Sequence, residues 1–294
     1  MVRGSIDMRF FNQIILSILV SIFLVMPSFA IKIGLLDDVK DAKIAVSSTG
    51  AIYDARTNKE IYRLKPMMRY TLRSKRNTIA IKLRGRFYSL GSNDIVIRTY
   101  DEGFVLAKNR WYRQNLVVQK REKGLTVIND INIEYYLMGV VPSEMPSSWN
   151  KEALKAQAIA ARSYALANLG KRASRGYDLN DTPADQAYGG ASAEKQSTNI
   201  AVIETKGQVL TYNNKIIPAY YCASAGGKTL NSGAVWNVDL PYLHSVASFD
   251  EKVRKNGHGV GMSQHGANNL ANMGYNAYQI LGYFYDKVHL QIIK

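Results

Sequence analysis

The sequence predicts an α+β fold whose N-terminal part is β-rich and basic. Three features carry this reading: short runs of strand period between residues 31 and 111, an Ala-rich helical segment at 151–168, and a positive charge concentrated ahead of residue 126. The 294 residues exceed the usual span of one domain, and 47% hydrophobic with 21% charged residues is ordinary globular composition. Disorder, collagen and coiled coil are thereby excluded. The single cysteine, Cys222, excludes an intramolecular disulfide framework and Cys-rich zinc modules.

In chain order, Arg3 and Arg9 precede an apolar run, Ile14 to Met26, followed by Pro27-Ser28-Phe29-Ala30, a helix stop with a small-x-small pattern. The uninterrupted apolar core is shorter than the ~20 residues of a spanning helix. Residues 1–30 are therefore assigned to an export signal, with a retained N-terminal anchor as the alternative, and the rest of the chain is expected in the periplasm or cell wall. No later apolar run approaches spanning length.

Residues 31–111 form the predicted basic β-rich region. Thr78 to Leu83 (TIAIKL) and Asp94 to Arg98 (DIVIR) alternate, and Gly85, Gly91-Ser92-Asn93 and Asp101-Glu102-Gly103 punctuate them. Of the net +15, residues 31–125 contribute +12 (21 Lys/Arg against 9 Asp/Glu). Such a charge suits either a solvated face or a polyanion-binding face. It carries no nucleic-acid-reading motif, and export argues against a nucleic-acid partner.

From residue 112 the pattern becomes mixed. A turn and strand open at Gly124 to Ile128. Ser148 or Asn150 can cap a helix over Lys151–Asn168, with Leu154, Ala158, Ala161 and Ala165 as a small-residue packing stripe and Gly170 at its end. A loop follows Gly176. Then come a helix near Ala193–Thr205, strands at Gln208–Tyr212 and Ile216–Cys222, and a last helix at Ala277–Tyr285.

Four features could carry chemistry. Glu144 stands between Pro142 and Pro146 on a stiffened backbone ahead of the helix, with apolar neighbours Val140, Val141, Met145 and Trp149. Burial there would raise its pKa toward that of a general acid; an exposed Glu is the other reading. Arg162, amid alanines, is suited to bidentate pairing with a carboxylate, either structural or of a ligand. The segment Gly257 to Gly266 (GHGVGMSQHG) permits close backbone approach to a ligand but is no phosphate loop, and His258 and His265 lack a third metal ligand at recognisable spacing. Cys222 with His258 could suggest a peptidase, but Cys222 continues an apolar strand instead of opening a helix.

Glu134 to Leu166 (EYYLMGVVPSEMPSSWNKEALKAQAIAARSYAL), Asp185 to Gly190 (DQAYGG), Ala219 to Thr229 (AYYCASAGGKT), Val235 to Leu243 (VWNVDLPYL) and Gly257 to Ala267 (GHGVGMSQHGA) together resemble the SpoIID/LytB family. The resemblance covers residues 112–294 and implies a SpoIID-like catalytic domain there. It implies action on peptidoglycan: either a lytic transglycosylase cutting the MurNAc–GlcNAc bond of glycan strands stripped of stem peptides, or an enhancer of an N-acetylmuramoyl-L-alanine amidase.

In the enzymes of this family the Glu of P-S-E-M-P is the essential acid, here Glu144. The Arg of A-A-R-S-Y, here Arg162, belongs to the cleft, where it would pair with Glu144 or with a lactyl carboxylate. Gln186, Tyr188, Lys228, His258 and Gln264 complete the expected substrate-binding set. A transglycosylase needs one acid only, because the C6 hydroxyl of the same sugar displaces the leaving group. A hydrolase would need a second carboxylate, for which Asp181, Asp185, Asp239 and Asp250 are candidates. Some family members bind zinc through a Cys and a His ahead of Q-x-Y. The loop here, Asp178 to Asp185, has neither, so no metal and no other cofactor is expected.

Overall fold

The computed structural model describes residues 29–293; of residues 1–30, read from the sequence as an export signal, 1–28 lie outside the described residues. The chain begins with strands joined by short turns: β1 (Ala30–Val39), β2 (Asp41–Val46), β3 (Gly50–Asp54), β4 (Glu60–Leu64), β5 (Tyr70–Lys75), β6 (Thr78–Leu83), β7 (Arg86–Ser89), β8 (Asp94–Thr99), β9 (Phe104–Ala107), β10 (Arg110–Arg113), β11 (Asn115–Lys120) and β12 (Leu125–Asn132). Helix α1 (Ile133–Glu144) follows β12 without a loop, then α2 (Lys151–Ala167), β13 (Leu179–Asn180), α3 (Gln196–Glu204), β14 (Gln208–Tyr212), β15 (Lys215–Ile216) and β16 (Tyr221–Cys222). The chain closes with α4 (Ser232–Trp236), β17 (Met262–Ser263), α5 (Gln264–Asn272), α6 (Ala277–Phe284) and β18 (His289–Ile292). The fold is α+β, as the sequence predicts.

Seven strands form one sheet in the order β13-β1-β12-β11-β8-β3-β4, and six form another, β10-β9-β2-β5-β6-β7. The alternation read from DIVIR is visible in β8, where Ile95 and Ile97 are fully buried and their neighbours are not. Strand β1 pairs antiparallel with β12 and parallel with β13. The first sheet therefore draws on both sides of the predicted boundary at residues 111 and 112, which itself falls inside β10. One buried core joins strand residues such as Ile33, Ile97 and Leu116 to helix residues such as Val140 and Ile159.

Helix α2 is the central post of the helical part. The Asn150 side chain accepts from the Glu152 N–H at 3.0 Å and caps it, as the sequence predicts. The stripe Leu154, Ala158, Ala161 and Ala165 is buried, but burial extends round the helix to Gln157, Arg162 and Ser163. Small side chains let α1, α3, α5, α6 and β14 all pack against it. The expected helix at 193–205 is α3, preceded by a single turn at Ala191–Ala193. The expected strand at 216–222 breaks into β15 and β16, and the last helix is α6, opened by an Asn276/Gln279 capping box.

Helix α1 lies where the sequence reading placed a stiff pre-helical segment. Asn132 caps it by accepting from the Glu134 N–H at 2.8 Å. Its single glycine is required: a Cβ on Gly139 would stand 2.6 Å from the Tyr188 ring. Among the described residues no helix is long and apolar enough to cross a membrane.

Candidate active site

Glu144 is the last residue of α1. Pro146 forces the preceding Met145 into extended backbone (φ −126°, ψ 144°), so the helix must end at Glu144. Pro142 lies in the same last turn, and Ser143 Oγ donates to the Gly139 carbonyl at 2.7 Å. The two prolines thus fix Glu144, but on a helix terminus instead of a loop.

The carboxyl is largely shielded from water. Desolvation raises its pKa above the ordinary 4.5, outweighing hydrogen bonds from the Ala187 N–H, Gln264 and Tyr221 that favour the carboxylate. The negative end of the α1 dipole acts in the same direction as burial. Ala187 N–H reaches Oε1 at 2.7 Å. Behind Tyr221 runs a chain of donors: Gln186 Nε2 donates to the Tyr221 hydroxyl at 2.9 Å, and the Tyr136 hydroxyl donates to Gln186 Oε1 at 3.2 Å. With its oxygen already accepting from Gln186, the Tyr221 O–H is free to donate toward Glu144.

Glu144 lines a cleft of about 570 Å³ whose wall is aromatic. Trp236 lies with its centroid 4.5 Å from that of Tyr220 and 5.0 Å from that of His258, and Tyr164 meets Tyr220 edge-on at 5.6 Å. Rings of this kind offer flat apolar faces to the C–H surfaces of a sugar while their polar edges stay hydrogen-bonded. The loop supplying His258 approaches closely because Gly257, Gly259 and Gly261 all sit at positive φ; a Cβ on Gly261 would stand 2.0 Å from the Tyr220 carbonyl oxygen.

A second carboxylate, Asp185, also lines this cleft, but its charge is taken. Lys171 Nζ lies 2.7 Å from Oδ1, while Arg172 Nε and the Asn180 N–H (2.8 Å) both donate to Oδ2. Its pKa is lowered, because these partners outweigh its burial. Asp181 is paired with Lys108 at 2.7 Å. Asp250 is buried and accepts from Ser248, Ser263 and the N–H groups of Ala225 and Gly227. Asp239 does not line the cleft.

Residues 121–212 match the family model described as Stage II sporulation protein, SpoIID. The chain is 39% identical over 144 residues to Stage II sporulation protein D of Bacillus subtilis, which covers 44% of this chain and 42% of that protein. It is 47% identical over 116 residues to the Amidase enhancer of the same organism (40% of this chain, 15% of that protein), and 37% identical over 153 residues to an uncharacterised protein of Brachyspira hyodysenteriae (52% and 41%). The chain spans less than half the length of each of these relatives. Through residues 121–212 the chain is similar to the SpoIID family.

The SpoIID segment supplies Glu144 and the hydrogen-bonding loop at Gln186 and Ala187, while the aromatic wall and Gln264 come from beyond its C-terminal limit. Of the predicted set, Glu144, His258 and Gln264 line one cleft. Gln186 is fully buried one layer behind it and acts on Glu144 through Tyr221. His258 Nδ1 accepts from the Val260 N–H at 3.0 Å, and burial lowers its pKa, which favours a neutral ring in the cleft wall. Gln264, predicted in a glycine loop, is the first residue of α5.

Three expectations are corrected. Arg162 does not face the cleft: it is fully buried and grips Glu134 with Nε at 2.9 Å and Nη2 at 2.6 Å, at the opposite end of α1 from Glu144. Tyr188 is a core residue, packed on Tyr136 and Tyr112, with its hydroxyl donating to Asn129 at 2.7 Å; only its edge reaches a neighbouring cavity. Lys228 is exposed beside Ala247 and does not line the cleft.

Cys222 does line the cleft, but burial pushes its thiol up to about 11, which leaves it protonated and unsuited to nucleophilic attack. His265 packs on Trp149 (4.7 Å), away from the Trp236 and Tyr220 neighbours of His258. Among the described residues no group of three His, Cys, Asp or Glu is placed to hold a metal ion. The sequence reading missed Tyr164, Tyr220, Tyr221 and Trp236. Their signal was present as aromatics inside the motifs AARSYAL, AYYCAS and VWN.

Proposed function

We propose that the protein is an exported lytic transglycosylase that cleaves the MurNAc–GlcNAc bond of stem-stripped glycan strands and leaves 1,6-anhydroMurNAc ends. The observation that carries this reading is one buried carboxyl of raised pKa, Glu144, in an aromatic cleft where the other carboxylate is already ion-paired. Protonated Glu144 donates to the glycosidic oxygen as the C1–O bond breaks. The carboxylate so formed then takes the proton of the C6 hydroxyl while that oxygen bonds to C1. Atoms balance without water, and no second carboxylate is needed.

Tyr221, Gln264 and the Ala187 N–H have a defined part in this cycle. They hold the carboxylate that exists between the two proton transfers. Tyr221→Phe removes one such donor, so the pKa of Glu144 is expected to rise further. Because the acid form is needed to start, activity falls as pH rises through that pKa. The alkaline limb of the pH–rate profile in Tyr221→Phe is therefore expected at higher pH, with a lower maximal rate. An unmoved limb would show that Tyr221 does not act on Glu144.

The test of the function itself is mass spectrometry of products from purified glycan, stripped and intact. Anhydro ends, 18 mass units below reducing ends, are expected from stripped strands only. One observation favours a second reading, the 47% identity with a protein named Amidase enhancer. On that reading neither substrate is cut, and the protein instead accelerates an N-acetylmuramoyl-L-alanine amidase.

A further inference from the structure

The cleft at Glu144 does not end there. Ser143, next to Glu144 in the chain, and Ala187, whose N–H holds its carboxyl, line a second cavity of about 570 Å³, and Pro183 borders both. Ser192 then joins this cavity to a third, of about 300 Å³, walled by Trp111, Phe104 and Met67. Glu144 thus lies within a trough that continues across the β9–β10 hairpin, outside the residues matched by the family model.

The hairpin's charges give the middle of the trough its character. Its two turn residues, Lys108 and Asn109, both have positive φ (51° and 58°), the I′ geometry that suits a tight hairpin but that a lysine seldom adopts. Lys108 Nζ reaches both oxygens of Asp181, at 3.0 and 2.7 Å, and that pair is neutral overall. Arg110 beside it is exposed and has no carboxylate partner among the described residues; its Nη1 donates to the Tyr188 carbonyl at 3.3 Å. The middle cavity therefore carries a spare positive charge with a guanidinium fork, flanked by the hydroxyls of Ser143 and Ser192. Beyond it Trp111, with its backbone N–H fixed on Ser192 Oγ at 2.9 Å, presents a half-buried ring.

We infer that this trough is an extended subsite for an acidic glycan strand, in which Arg110 takes the carboxylate borne by a sugar unit and Trp111 stacks on a unit further along. The inference rests on the reading of Glu144 as a glycan-cleaving acid, and it adds that strand length and free sugar carboxylates determine affinity. It also gives the basic N-terminal strands a place in substrate selection.

The test measures binding, so that it does not depend on cleavage. Glu144→Gln protein is titrated with short and long stripped glycan strands and with long strands still bearing stem peptides, at low and high salt. Long stripped strands are expected to bind more tightly than short ones, and Arg110→Ala or Trp111→Ala placed in the same background should each cut the long-to-short affinity ratio roughly tenfold. Only the Arg110 variant should also weaken the salt dependence. Equal affinity for long and short strands, or variants that keep the ratio, would overturn the trough. An Arg110→Ala loss of the same size on peptide-bearing strands would mean that a stem-peptide carboxylate is read instead, and would overturn the sugar-carboxylate assignment. Length-dependent binding with no cleavage by the wild type would leave this inference standing and sink the transglycosylase alone.

Discussion

Glu144→Gln is expected to abolish release of anhydro-ended products while raising thermal stability at neutral pH. The substitution keeps shape and leaves an amide oxygen to accept from the Ala187 N–H, but an amide cannot deliver a proton to the leaving oxygen. Positioned acid catalysis contributes about 10²–10⁴-fold, and here one group serves both proton transfers, so the loss should lie at or beyond the upper end. The stability effect follows from linkage. Burial raises the folded-state pKa of Glu144 above the unfolded value, so its protonated form is the one the fold prefers. The stability that preference confers is present below the unfolded pKa, near the ordinary 4.5, and is lost as pH rises through the folded pKa. A glutamine is neutral throughout. The melting temperature of Glu144→Gln should therefore gain on that of the wild type as pH rises through this window, and a constant difference would show that the carboxylate is not desolvated. Anhydro products from a folded Glu144→Gln protein would remove Glu144 from the mechanism. Reducing-end products from the wild type would require a hydrolase, with Asp185 freed from Lys171 and Arg172.

The sequence made some of this legible and hid the rest for identifiable reasons. Glu144 could be picked out because two prolines and apolar neighbours constrain one carboxylate within seven residues, and Asn150 could be read as a cap because the signal is local. Helix α1 could not be read: it is buried on most sides, so its apolar residues show no helical period, and Gly139 and Pro142 lower its propensity. Gly139 is there for Tyr188, a contact across about fifty residues that no local pattern reveals. The pairing of β1 with β12 is likewise long-range, so a boundary at 111/112 drawn from where the family resemblance begins divides a sheet and falls within β10. The aromatic wall is built from three separated segments, so composition could announce aromatics but not their convergence on Glu144.

Arg162 shows most directly what geometry adds, and its replacement should have the largest effect on stability. A guanidinium in an Ala-rich helix and a carboxylate at Glu144 invite a pairing, yet the partner is Glu134, in the first turn of α1 and about 15 Å along its axis from Glu144. Arg162 also donates to the carbonyls of Gln208 (3.1 Å) and Val202 (3.4 Å), while Glu134 accepts from the Gly207 N–H at 3.1 Å. One side chain thus ties α1, α2, α3 and β14 together with no solvent to replace it. Arg162→Ala strips the partly buried Glu134 of its counter-ion and unpairs two buried carbonyls, and should cost about 3–5 kcal/mol, a fall in melting temperature on the order of ten degrees. Arg162→Lys should rescue little, since one ammonium cannot reproduce a planar fork that spans a carboxylate and two carbonyls. Replacing both charges together, Arg162→Met with Glu134→Leu, should recover much of the loss, because the cost lies mainly in the stranded charge. A substrate-contacting arginine would behave in the opposite way, with native melting temperature in Arg162→Ala, a raised KM, and no recovery in the double variant. Any loss of cleavage in Arg162→Ala should instead follow the fraction unfolded, because Arg162 reaches Glu144 only through the placement of α1.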